Sequence, residues 1–112
     1  MASHQSHPKE SAARRSTRIA TDILIEVKGE GFAYAAETIT VNLHGALIRT
    51  SARLEIGTVL NVYVHRTRKT ALARIVFADR EDPSQHGIEL ERPENIWGVA
   101  GPPSDWELIS PQ

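Results

Sequence analysis

Cysteine is absent from the 112 residues. That excludes a disulfide framework and thiolate chemistry, and it suits a reducing compartment. Long apolar runs are missing as well: none approaches the roughly 20 residues that a membrane-crossing helix needs. The opening stretch, MASHQSHPKESAARR, carries charge with no apolar segment behind it, which is not the pattern of a secretory signal. These absences lead to the expectation of a cytoplasmic protein without membrane insertion. Net charge is nearly absent too, at −1, so the chain as a whole lacks the basic excess of a general nucleic-acid binder. No Ser/His/Asp or paired-carboxylate spacing suggests catalysis, and a non-enzyme is expected.

What remains is a chain of ordinary single-domain size, 40% hydrophobic and 24% charged. Residues 1 to 13 are Ser-, Ala-, His- and Lys-rich with nothing to bury, and they read as a flexible tail ahead of a domain over 14 to 109. From about 19 to 92 short alternating runs follow one another between turn signals. Ile23, Ile25 and Val27 form the first apolar face, ending at Gly29-Glu30-Gly31. Phe32 to Leu43 is the second run, in which Ile39, Val41 and Leu43 alternate with Thr38, Thr40 and Asn42. Ala46 to Thr50 is the third. Leu60, Val62 and Val64 mark the fourth, Ala71, Ala73, Ile75 and Phe77 the fifth, and Ile88 and Leu90 a short sixth. Six strands at this spacing, with no long helical pattern between them, predict an all-β antiparallel barrel or sandwich. Near the C-terminus Ser104 or Asp105 is placed to cap a single helical turn through Leu108, while Pro102-Pro103 argues against a longer helix.

Two segments carry candidate chemistry. RRSTR sets Arg14, Arg15 and Arg18 just before the first strand. Guanidinium forks grip phosphate oxygens bidentately, stack on bases, or donate to guanine O6 and N7. The same residues also read as a solvated basic edge. The second segment is VNLHGALI, where Asn42, His44 and Gly45 interrupt the alternation and Ala46-Leu47-Ile48 restarts it. Asn there is also a common turn former, because it tolerates left-handed backbone.

Taken together, an Arg-x-x-x-Arg motif (Arg14 to Arg18) running into the first strand and an Asn-containing turn about 25 residues later resemble a PilZ domain. The resemblance covers roughly residues 12 to 92. It implies a six-stranded antiparallel barrel that binds cyclic di-GMP and relays it to a protein partner. It further implies that Arg14 and Arg18, with Arg15 beside them, hold the phosphates and a guanine. Asn42 matches the first position of the family's second motif, Asp/Asn-x-Ser-x-x-Gly. His44 stands where the serine belongs. The final glycine is Gly45 if the turn is two residues shorter, and otherwise its place is taken by Leu47. The second reading of the chain is an adaptor of the same fold that binds no nucleotide. A third is a small enzyme or nucleic-acid binder using the basic HRTRK tip at residues 65 to 69.

Other residues have plainer expectations. His4 and His7 are spaced like a metal pair but lack a third ligand, so no metal site is expected. His65 and His86 read as solvated residues at strand ends. HRTRK reads as a hairpin tip. Trp97 and Trp106 are expected to cover an open end of the core.

Overall fold

The computed structural model describes residues 16–106. The flexible-tail expectation for residues 1 to 13 therefore lies outside the described residues, as do Arg14 and Arg15. Seven strands run in chain order: β1 (Ile19–Ala20), β2 (Leu24–Gly29), β3 (Phe32–Asn42), β4 (Gly45–Arg49), β5 (Val59–Val64), β6 (Lys69–Ala78) and β7 (Gln85–Leu90). Six of them close a ring in the order β3-β2-β5-β6-β7-β4, with β4 returning to pair with β3. All pairings are antiparallel. The predicted six-stranded all-β barrel is the fold, with β1 as a short addition. Among the described residues one 3-10 turn, Ser104–Trp106, follows the last strand. Among the described residues no helix is long and apolar enough to cross a membrane.

The barrel interior follows from strand alternation. Ile25 and Val27 of β2, Leu60, Val62 and Val64 of β5, Ile75 of β6, and Ile88 and Leu90 of β7 all point inward and are buried. Leu43 at one end, with Ile96 and Trp97 beyond β7, belongs to the same core. The tryptophans cover the core as expected: both are buried.

Two β-bulges overturn the alternation where the sequence implied it was unbroken. In β3 the register shifts between Thr38 and Thr40. The extra residue turns Thr38 inward, fully buried, and leaves Ile39 only half-buried, the reverse of the sequence expectation. Thr38 has a use there. Its hydroxyl accepts from the Ile23 N–H at 2.9 Å and donates to the Thr21 carbonyl. It thereby closes the break of residues 21–23 that separates β1 from β2, both of which pair with the same flank of β3.

The second bulge lies in β6 between Ile75 and Phe77. Phe77, predicted to share the inward face with Ala73 and Ile75, is 47% exposed instead. Its partner across the ladder is Gly87. A Cβ on Gly87 would come within 2.9 Å of the Phe77 Cβ, so the missing side chain makes room for the ring's attachment.

His86 also departs from the sequence reading. It is not a solvated edge residue but the first inward position of β7, 1% exposed. Its Nε2 accepts the Leu54 N–H at 3.1 Å, which fastens the long β4–β5 connection to the barrel. An acceptor at Nε2 in the neutral ring places the proton on Nδ1, and that atom is buried without a partner. His65 is exposed as expected, edge-on to Tyr63.

The β6–β7 connection is organised by two aspartates. Asp79 accepts from the Glu81 and Asp82 N–H groups. Asp82 accepts from the Ser84 hydroxyl at 2.6 Å, the Ser84 N–H and the Gln85 side-chain amide. These donors, the Ser84 hydroxyl foremost, hold the Asp82 carboxyl below its ordinary value of 3.8.

Candidate functional site

The β3–β4 hairpin is built on Asn42. Asn42 and Gly45 are ladder partners, leaving Leu43 and His44 as a two-residue loop. A two-residue hairpin usually relies on left-handed residues. Here neither loop residue has positive φ. The Asn42 side chain organises the turn instead: its Oδ1 accepts from the His44 N–H at 2.8 Å and from the Gly45 N–H at 3.0 Å. Main-chain carbonyls of the loop are used too, Leu43 accepting from the Glu94 N–H and His44 from the Leu90 N–H. Leu43 is buried and His44 exposed.

Gly45 is dictated by close approach of backbone. A Cβ there would sit 1.9 Å from the Ile88 carbonyl oxygen, an impossible contact with a main-chain atom that cannot turn aside. The glycine that the resemblance placed in a ligand motif is thus required for packing of β4 on β7.

The same turn receives the chain leading into β1. The Asn42 Nδ2 donates to the Ser16 carbonyl at 3.1 Å, and the Ser16 hydroxyl accepts from the Leu43 N–H at 2.8 Å. Both lone pairs of the Asn42 amide oxygen are taken, and one of its N–H bonds is left uncommitted. The Asn42 main-chain carbonyl accepts from the buried Trp97 indole at 2.9 Å.

Beside this turn lies an open groove of about 680 Å³. Arg18, Asn42, His44 and Gly45 line it, so the described members of the two sequence motifs share one surface. Arg14 and Arg15 lie outside the described residues. Sequence reasoning missed the wall contributed by β6 and β7, which includes Val76, Phe77 and Glu89. Phe77 offers an apolar ring face, set outward by the β6 bulge. Glu89 is engaged at 3.7 Å with Arg74, an exposed ion pair of little energetic weight. Arg18 is an exposed cation and His44 an exposed imidazole, so the groove can offer guanidinium donors, an imidazole and an aromatic face to a planar, anionic ligand.

The HRTRK segment is a hairpin tip, as predicted, between β5 and β6. It packs on the segment after β7: the Thr67 hydroxyl donates to the Ile96 carbonyl at 2.9 Å, and Lys69 pairs with Glu94 at 3.6 Å. Among the described residues no cluster of three His, Asp or Glu is disposed to hold a metal ion. His4 and His7 lie outside the described residues.

The described residues thus form a small closed barrel with an open groove beside its β3–β4 hairpin, Arg18 and Glu89 among its lining. Residues 12–96 match the model of the PilZ domain, and the chain belongs to that family. PilZ domains in general are receptor modules for cyclic di-GMP, and act through other proteins. No curated protein matches the chain.

Proposed function

We propose that this chain is a cyclic di-GMP receptor whose ligand occupies the groove beside the β3–β4 turn. The observation that carries the reading is the convergence of Arg18 with Asn42, His44 and Gly45 on one groove, although Arg18 precedes the turn by some two dozen residues. Arg18, with Arg14 and Arg15 ahead of it, supplies bidentate donors to the phosphates or to guanine O6 and N7. Phe77 supplies a face on which a purine stacks. Pairing of the phosphates with the arginines changes the charge and shape of the surface beside the groove, and that altered surface is what a partner protein reads.

The test is calorimetric titration of cyclic di-GMP at fixed salt. Micromolar affinity, on the order of −8 kcal/mol, is expected. Arg14→Ala and Arg18→Ala each weaken it by roughly 1.5–3 kcal/mol, as loss of charged hydrogen bonds does. Absence of saturable binding at about 100 μM ligand overturns the receptor reading, since a micromolar site is then nearly full.

A second reading, an adaptor that binds no nucleotide, is favoured by the state of Asn42. Its amide oxygen is committed to the turn and one of its N–H bonds to Ser16, and an imidazole stands where the family motif has a hydroxyl.

A further inference from the structure

Thr17 is held on both of its main-chain groups by residues at the far end of the chain. Its N–H donates to both carboxylate oxygens of Asp105 at 3.1 Å, and its hydroxyl donates to Asp105 Oδ2 at 2.7 Å. Its carbonyl accepts from the Trp106 indole N–H at 2.6 Å. The 3-10 turn Ser104–Trp106 presents the two partners side by side, and Trp106 is buried, so the turn has a fixed seat. On the preceding residue, Ser16, the Asn42 turn makes the two contacts already described. Arg18, the next residue, lines the groove.

We propose that Asp105 and Trp106 are positioning residues for the nucleotide groove, fixing the chain at Thr17 so that Arg18 meets the ligand from a set point. The inference rests on the receptor reading above. Neither Thr17 nor Asp105 belongs to a barrel strand, and both are exposed, so the fold does not need this contact to close its ring. A ligand held by arginines does need it. An arginine on an untethered segment loses the freedom of that segment on binding, and a segment fixed beforehand loses less. Asp105 and Trp106 both lie beyond position 96, where the match to the family model ends. The clamp thus draws its two partners from outside the matched region.

The experiment uses the full chain. Cyclic di-GMP is titrated by calorimetry into the wild type and into Asp105→Ala, Asp105→Asn and Thr17→Val, with the thermal midpoint of each variant recorded. Exchange of the Thr17 amide is followed without ligand. The expected result is roughly tenfold weaker binding by Asp105→Ala and Thr17→Val, the effect of losing an exposed charged hydrogen bond. Asp105→Asn keeps an acceptor oxygen and stays within about threefold of the wild type on the same scale. Midpoints move little, and Thr17 amide protection falls in Asp105→Ala. A role in stability alone gives the opposite split, with midpoints lowered and affinity unchanged, and overturns the proposal. Wild-type affinity retained in Asp105→Ala overturns it too. Failure of the wild type itself to bind is read directly from its own titration, and overturns the receptor reading and this role together.

Discussion

The indole N–H of Trp97 reaches the main-chain carbonyl of Asn42 at 2.9 Å, joining positions 55 apart in the chain. The turn that carries half of the candidate site thus hangs on a fully buried side chain from beyond the last strand.

Trp97→Phe keeps most of the ring and removes the donor. The Asn42 carbonyl then loses a buried partner, at about 1–3 kcal/mol. Denaturant unfolding measures the loss. A change below about 0.5 kcal/mol, under the usual net value of one hydrogen bond, means that water replaces the indole.

His44→Ser restores the hydroxyl of the family motif and removes bulk at the groove wall. Cyclic di-GMP binding is expected to strengthen by roughly 2- to 13-fold, the equivalent of one hydrogen bond of 0.5–1.5 kcal/mol. Weaker binding by the variant identifies the imidazole as a ligand contact. Absence of binding by both proteins points to the shortened turn, and with it to the adaptor.

Thr38→Val preserves shape and removes a hydroxyl that serves two main-chain groups. The Ile23 N–H and Thr21 carbonyl are left without it, and a loss of about 2–4 kcal/mol in unfolding free energy is expected. Calorimetric or denaturant unfolding at neutral pH checks the value, and a neutral substitution contradicts the assigned role.

Asp82→Asn gives a pH-dependent difference. The folded carboxyl titrates below its ordinary value, so its hydrogen bonds stabilise the fold above the unfolded-state pKa. That contribution is lost as pH falls through the lower, folded-state pKa. The wild type is therefore expected to melt above the variant at pH 7, with the gap narrowing below about pH 4. A gap of constant size between pH 7 and pH 3 contradicts the assignment.

The barrel was legible because its apolar positions alternate cleanly in β2, β5 and β7, where no bulge interrupts them. Thr38 and Phe77 were misplaced because one inserted residue reverses parity, and only the opposing strand reveals the insertion. His86 was legible in principle: it is in phase with Ile88 and Leu90, but its place at a strand end beside Gln85 made it read as a solvated edge residue. Of the candidate site, the motif halves at Arg18 and at Asn42 were readable as local patterns. Phe77 and Glu89 were not, since nothing near them in sequence places them beside His44. The clamp of Thr17 by Asp105 spans 88 positions and has no local signature.

Closure of the ring limits how a partner can engage this protein. Six strands have both flanks paired over part of their length, which denies an incoming peptide the row of bare N–H and C=O groups that strand addition requires. Among the described residues the exception is β1. It is two residues long and bonded to β3 alone, too short to template a ladder. Among the described residues, the surface left for a protein partner is that of side chains and loops, on the barrel's outside or at its ends. A competitor for such a partner is better sought as a shaped surface than as an extended peptide.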